Sequence, residues 1–582
     1  MFVEYKPKDA WIVMDKIEKN YERWLASDRL NEQEKSELRA MSEEEKADAF
    51  FQDAEFGTGG LRSKLGLGTN RINKFIVKRI TIAFGIYLKS IYPDAQERGV
   101  VISHDNRFFS REFATQAAEI LNEEGIRAYL FDALRPTPEL SFGVRYMKAC
   151  GGIMITASHN PKEYNGYKVY DETGCQLIPD QVKELLDILA SLPNELEIEV
   201  PKAEKKNITT ILPKEVDEEY CRLVEEIQLN PDLKKDDFKV IYSPQHGASY
   251  ESAMRVFQDC GYHIIPVAPQ CIHDPAFGAT LNPNPETAES FIEGIKLAQQ
   301  EKGNIVVITD PDGDRCGIAY LSSKGTWERF TGNESAALLL DYILSQRKEK
   351  GTLSENGVIY DTIVSSDLCR QIAHSYGVKA ETFLTGFKYI GSRIGYYEKL
   401  GKGPHFEFGY EESYGCLISP FVRDKDGVQA ILLYSEMALW YFRKGIPLDI
   451  AYENLQKKYG YHYAHTVAVY FEGAEGNAKM KELMANLHQN PLQEVAGKKI
   501  VKIQDYESLT ETDLLSGRST PIALPQSNVV RYVFEDSSWL AIRPSGTEPK
   551  CKFYVEVVQK EPRDIKKRVD LIFDSLKRQL HL

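Results

Sequence analysis

One arrangement occurs three times along the chain and limits its folding more than any other feature. Each copy is a short β-rich run, a polar loop, a helical stretch, a glycine and a second apolar run. The first copy spans residues 100–103, Gly125 and 126–131. The second spans 238–242, Gly261 and 264–267, and the third 358–360, Gly377 and 378–383. A glycine just past a helix supplies the left-handed residue that turns the chain into the next strand. Right-handed strand–helix–strand crossovers with mainly parallel strands are the packing this pattern calls for. Any α/β protein shares the grammar, so the repeat speaks for three α/β domains and is silent on their ancestry.

The two ends read differently. In the first fifty residues Trp24, Leu25, Leu30 and Leu38 recur at helical spacing within a Glu-, Lys- and Ala-rich stretch, and residues 42–46 read as a solvated face. From about residue 460 come β-rich runs at 465–470, 529–534 and 552–558, then a helix after Pro562. Its Ile565, Val569, Ile572 and Leu576 form one stripe, the mark of a helix lying on a sheet. The Ser/Gly/Pro-rich segment 516–527 reads as a loop between strands. The expectation is an α/β fold: three similar α/β domains with mixed sheets plus a smaller C-terminal α+β domain. The boundaries are 1–50 for a helical N-terminal extension, then 51–215, 216–325 and 326–455 for the α/β domains, and 456–582 for the last.

Charge and cysteine content exclude several classes of function. The 582 residues carry a formal net charge of −14, so no global basic field exists to hold nucleic acid or an anionic membrane. An anionic ligand must be gathered by local basic clusters. No apolar run approaches the roughly 20 residues of a membrane span, and no charged-then-apolar leader is visible. Nine cysteines without a CxxC pair argue against a zinc ribbon and a disulfide framework. The expected location is the cytoplasm.

Three motifs carry chemistry. In Thr156-Ala157-Ser158-His159-Asn160-Pro161 the serine follows the apolar run 152–155, at the carboxyl end of a strand, where open α/β sheets bind ligands. Neighbouring side chains normally diverge, so no Ser–His dyad is expected; His159 stays among the catalytic candidates as part of the motif. In Asp310-Pro311-Asp312-Gly313-Asp314-Arg315, three carboxylates on one loop repel one another unless a hard cation binds them, Mg²⁺ above all. An EF-hand is excluded, because its glycine position is Arg315 and its bidentate glutamate position is Leu321. A haloacid-dehalogenase-type phosphatase with Asp310 as nucleophile is the rival reading. In Arg543-Pro544-Ser545-Gly546-Thr547-Glu548-Pro549-Lys550, a guanidinium, hydroxyls and backbone N–H groups suit a phosphate. Thr385-Gly386-Phe387-Lys388, the 409–415 segment with Glu411 and Ser413, and a flexible loop 57–62 ending in the cation Arg62 are each weak alone.

Together, from about Phe56 onward, these segments resemble the α-D-phosphohexomutase family, in its long phosphoglucomutase/phosphopentomutase branch. The resemblance implies a phosphorylated serine at Ser158, and magnesium held by Asp310, Asp312, Asp314 and a Ser158 phosphoryl oxygen. It implies Arg62 and Lys168 as catalytic residues, the lysine as general acid/base with a pKa lowered by surrounding cations. Arg315, Thr385, Gly386 and Lys388 would contact substrate. Glu411 and Ser413 would select the sugar, and Arg543, Ser545, Gly546 and Thr547 would bind phosphate. The implied reaction moves phosphate between C1 and C6 of glucose through glucose 1,6-bisphosphate; phosphopentomutase and phosphomannomutase are the alternatives within the family. Glu411-Glu412-Ser413 favours a hexose, whereas Gly415 leaves no histidine where some bacterial members have one. Partners would be a sugar phosphate, no nucleic acid and no membrane, with the chain a monomer or weak homodimer.

Overall fold

The computed structural model describes residues 7–57, 59–471, 473–545 and 550–582. The chain packs as two compact units. One runs to Ala319 and includes Gly391–Gly401 and Leu417–Ser435; the other comprises Tyr320–Ile390, Lys402–Cys416 and Glu436–Leu582.

In the first unit, helices Pro7–Ala26, Glu32–Ala40 and Glu43–Phe50 form the N-terminal extension. Trp24 anchors it, fully buried, with its ring edge-on to Phe50 and Phe75. Its indole N–H donates to Glu195 Oε1 at 2.8 Å. A seven-stranded sheet follows, ordered Phe56–Gly57, Gly60–Lys64, Tyr164–Asp171, Gly151–Ile155, Val100–His104, Ala128–Leu130 and Thr209–Ile211. The last four strands run parallel, while Tyr164–Asp171 returns antiparallel to Gly151–Ile155 with Lys168 opposite Met154. Arg62 therefore lies on a paired strand opposite Gly166, not at the end of the flexible loop expected. Gly60 makes that approach possible: its φ is +99°, and a Cβ there would meet Tyr167 O at 2.4 Å. In the second sheet, Ile305–Thr309, Lys239–Ser243 and His263–Pro266 lie parallel, and Ile305–Thr309 ends at the acidic loop.

In the second unit, Lys379–Phe383, Gly357–Thr362 and His405–Glu411 are parallel, with Gly415–Leu417 at the edge. The three repeat glycines hold φ of +85° (Gly125), +73° (Gly261) and +79° (Gly377), the left-handed turn their positions call for. The final sheet is antiparallel, and the helix Ile565–Leu580 buries Val569, Ile572 and Leu576 against it. Three α/β sheets and an antiparallel C-terminal domain are thus as expected. One local expectation fails: segment 516–527 contains the strand Arg518–Pro521, hairpin-paired to Thr510–Asp513. All four of its residues are exposed, so no apolar alternation announces it.

Among the described residues no helix is long and apolar enough to cross a membrane, and none of the nine cysteines is joined in a disulfide.

Candidate active site

The strands Val100–His104 and Gly151–Ile155 are parallel neighbours, so the loops leaving their carboxyl ends meet. Ser158 sits in one of them, 2% exposed, with φ +53°. A non-glycine residue in that region costs roughly 1–3 kcal/mol and persists only where its surroundings impose it. Those surroundings are explicit. The Ser158 N–H donates to Thr156 Oγ1 (2.8 Å), whose hydroxyl donates to Asp105 Oδ2 (2.6 Å). Arg107, from the neighbouring loop, donates from Nη2 to Ser158 O and Asn160 O at 2.6 and 2.5 Å. Its Nη1 reaches Pro161 O and Tyr164 O at 2.8 and 3.0 Å, and its Nε reaches Asp105 at 3.1 Å. One buried guanidinium thus ties both ends of the serine loop.

The resulting turn aims the Ser158 hydroxyl at the acidic loop, where it donates to Asp310 Oδ2 at 2.9 Å. It also brings His159 Nδ1 to 3.3 Å from Ser158 Oγ, against the divergence expected of sequence neighbours. Left-handed backbone at Ser158 is what folds the two side chains back together. Arg62 joins the same loop through Nη1, which donates to Asn160 Oδ1 at 2.8 Å.

Asp310, Asp312 and Asp314 are all buried, and each offers a carboxylate oxygen within 4.8 Å of the others. Gly313, at φ +67°, turns the loop so that the three converge. Burial and the two neighbouring carboxylates push the Asp310 pKa well above the ordinary aspartate range. Burial acts on Asp312 the same way, but Lys168 and a hydrogen bond from Asp310 outweigh it and hold Asp312 low. Asp312 Oδ1 and Asp314 Oδ1 are buried with no hydrogen-bond partner among the described residues. Orphaned buried carboxylate oxygens are costly unless a cation meets them, so the donor set fits a hard divalent metal. Asp310 makes a poor nucleophile: Oδ1 accepts from the N–H groups of Asp314 and Arg315, and Oδ2 from Ser158.

Lys168 extends to Asp312 Oδ2 at 2.8 Å and Asp314 Oδ2 at 3.6 Å. Burial alone would lower its pKa, yet Asp312 and Asp314 outweigh it and hold the ammonium above the ordinary lysine value. The expected lowering by surrounding cations is thereby corrected: the nearest charges are acidic. Arg315 lies 3.8 Å from Asp314 and donates to Glu286 Oε1 at 3.2 Å.

The remaining candidates belong to the second unit. Glu411 Oε1 accepts the Gly386 N–H at 2.8 Å, joining Thr385-Gly386 to the acidic turn, and Lys388 is buried in the first turn of helix Phe387–Leu400. Burial and the adjacent Glu411 push the Glu412 pKa up to about 7. Ser413 is half-buried. Arg543 faces Lys552 across the last sheet, and the Ser545 N–H donates to Lys550 O at 2.8 Å, closing the base of the basic loop. Gly546 and Thr547 lie outside the described residues.

Four family profiles match in order along the chain. They are the phosphoglucomutase/phosphomannomutase alpha/beta/alpha domains I (residues 53–195), II (218–322) and III (331–459) and the C-terminal domain (475–571). The chain belongs to the phosphoglucomutase/phosphomannomutase family. A curated phosphoglucomutase of Staphylococcus epidermidis is 37% identical over 517 residues, 88% of this chain and 92% of that protein. One from Staphylococcus aureus USA300 is 35% identical over 541 residues, 92% and 95% of the two chains. Among solved structures, pp63/parafusin from Paramecium aligns with a TM-score of 0.66 at 19% identity, over 90% of this chain and 95% of that one. A putative phosphomannomutase from Thermus thermophilus gives 0.64 at 21%, over 91% and 100%. These two likenesses speak for the fold. Membership makes the chain an isomerase that moves a phosphoryl group.

With the family in view, two residues stand out that the sequence reading passed over. Lys425 Nζ lies 3.1 Å from Asp314 Oδ2 and 2.9 Å from Asp424 Oδ1, a second buried ammonium on the acidic triad. The charge-dense run Arg423-Asp424-Lys425-Asp426-Gly427 ahead of a helix was the available signal. Gly427 fixes its approach, since a Cβ there would meet Gly313 O at 2.5 Å. Arg107 was legible as Asp105-Asn106-Arg107 at the end of a parallel strand, the position where such sheets place functional loops.

Proposed function

We propose that this isomerase interconverts glucose 1-phosphate and glucose 6-phosphate, with phospho-Ser158 as donor and glucose 1,6-bisphosphate as intermediate. The observation that carries the reading is the Ser158 hydroxyl, held in a strained turn 2.9 Å from the convergent acidic triad. Asp310, Asp312, Asp314 and Ser158 would hold Mg²⁺. When bound, the ion supplies positive charge against the phosphoryl oxygens.

Phosphoryl transfer asks a protein mainly for positioning and charge stabilisation. The free sugar hydroxyl forms a new P–O bond as the bond from phosphorus to Ser158 Oγ breaks, and the proton that hydroxyl gives up passes by way of Lys168 to the freed seryl oxygen, so the lysine ends with the charge it began with. Lys168, kept as an ammonium by Asp312 and Asp314, is the group we assign to protonate the departing seryl oxygen. His159, 3.3 Å from the same oxygen, is the second group within reach of that proton. Arg62 and Arg315 steady the transferring group. Glu411 and Ser413 take sugar hydroxyls, and Lys388, Thr385 and Gly386 contact the same substrate. Arg543, Ser545, Gly546 and Thr547 grip the phosphate that is not moving. The bisphosphate then turns end for end and returns its other phosphate to Ser158.

The test compares kcat/KM for the 1-phosphates of glucose, mannose, ribose and deoxyribose, and follows acid-stable ³²P on Ser158. Glucose should lead and Ser158→Ala should lose both label and turnover. A preference for ribose above about tenfold, roughly 1.4 kcal/mol of transition-state discrimination, would overturn the hexose assignment. An acyl phosphate on Asp310 would overturn the mutase mechanism.

A further inference from the structure

Within the second unit, a cavity of about 370 Å³ opens between the Gly357–Thr362 sheet with its helix Asp367–Ser375 and the C-terminal sheet with its Thr510–Pro521 hairpin. That volume is in the range of small-ligand sites, roughly 300–1,000 Å³. None of its lining residues belongs to the catalytic set described above.

Arg531 is the unusual member of its wall. It is 8% exposed and stacks over the Trp539 ring at 4.6 Å. Nη1 donates to Gln504 Oε1 at 2.8 Å, but Nε is buried with no hydrogen-bond partner among the described residues. The nearest carboxylate, Asp367, lies 3.7 Å from Nη2, beyond hydrogen-bond reach. Burial pulls its pKa down, more than the ion pair with Asp367 raises it. Arginine does not discharge in proteins, so the part of the burial cost that Gln504 and Asp367 leave unmet persists. The neighbouring Arg370 is different: its Nε donates to Asp361 at 2.7 Å, and it pairs with Asp367 as well.

The rest of the wall restricts what could enter. Of the other charged residues on the wall, Glu511 is paired to Lys502 at 2.9 Å and Arg370 to Asp361 at 2.7 Å, which leaves little net charge to attract a multiply charged anion. Tyr506, Thr520 and Glu511 offer hydroxyl and carboxylate oxygens, and Glu511 and Thr520 face each other across the hairpin. One positive end and several hydroxyl-binding groups in a nearly neutral wall describe a complementary ligand. We propose that this cavity binds a monoanionic polyhydroxy acid, its carboxylate on Arg531 and its hydroxyls on Glu511, Thr520 and Tyr506.

The test is calorimetric titration of the full-length protein with D-gluconate. Sorbitol serves as the uncharged polyol, acetate as the anion without hydroxyls, and inorganic phosphate as the competing anion class. Gluconate should bind saturably at one site, and the other three at least tenfold more weakly. Arg531→Met should weaken gluconate at least tenfold, about 1.4 kcal/mol, and Asp367 keeps its pairing with Arg370, so the substitution leaves that carboxylate with a counter-charge. Leu524→Trp, which adds bulk to the cavity wall and leaves Arg531 in the sequence, should abolish gluconate binding and leave glucose 1-phosphate turnover unchanged. Absent saturable gluconate binding, sorbitol or phosphate binding as tightly, or affinity surviving both substitutions would each overturn the proposal.

Discussion

Arg107 touches no reacting atom, yet the serine loop depends on it, and replacing it isolates positioning from chemistry. Arg107→Met removes the donors to the carbonyls of Ser158, Asn160, Pro161 and Tyr164 and the charged partner of Asp105. Asp105 would then be a buried carboxylate left with the hydroxyls of Thr156 and Ser110 and one backbone N–H. Breaking a buried pair in this way costs about 3–5 kcal/mol. That exceeds the roughly 1–3 kcal/mol stored in the left-handed Ser158 backbone, so the turn should relax and carry Oγ away from Asp310. A shift of about 1 Å at a reacting atom costs on the order of a hundredfold in rate. The expected outcome is kcat reduced about a hundredfold with KM altered less than about threefold, the mark of an interaction realised at the transition state. Arg107→Lys keeps the charge near Asp105 but cannot span four carbonyls, so it should recover stability more than rate. The assay is initial-rate conversion of glucose 1-phosphate with added bisphosphate, alongside circular dichroism melting of each variant. A folded Arg107→Met protein with kcat within about threefold of wild type would refute the positioning argument.

Chelation should abolish turnover and Mg²⁺ should restore it, while Asp312→Asn should raise the Mg²⁺ concentration needed for half-activity; full activity in excess chelator would contradict the triad's role. Glu124, buried against Lys89, has its pKa pushed from 4.5 to about 7 by burial. Its contribution to stability is complete below pH 4.5 and is lost as pH rises to about 7, on the order of 3 kcal/mol at 1.36 kcal/mol per unit. Glu124→Gln should therefore melt with a smaller drop between pH 5 and pH 8 than wild type, and an unchanged drop would count against it. Trp24→Ala should destabilise the first unit by about 3–5 kcal/mol, read by denaturant titration, because it opens a cavity and strips Glu195 of a donor; a loss below about 1 kcal/mol would show the extension to be loosely attached.

Much of this protein is legible in the order of its residues. The three glycines announced their own backbone angles, because no other residue adopts them cheaply at the end of a helix. The acidic loop announced a cluster of carboxylates that could hold a cation, because three of them at alternate positions have few other physical uses. What escaped depends on distance in space rather than spacing in sequence. Lys425 reaches Asp314 across 111 residues, and nothing local to either position encodes the meeting. The sign of the Lys168 shift depends on which charges lie nearest, and a list of residues cannot tell carboxylates from cations as neighbours. The strand Arg518–Pro521 was hidden for another reason: it is held by its partner's backbone and buries no side chain.

The serine loop is itself the connection between two hydrogen-bonded strands, Gly151–Ile155 and Tyr164–Asp171, each with a further sheet neighbour. A swinging nucleophile would have to drag both through the register of the whole sheet. The Ser158 oxygen is therefore a fixed post rather than an arm. In the proposed reaction the reorientation must then be performed by the small molecule, tumbling in place while the protein around Ser158 stands still.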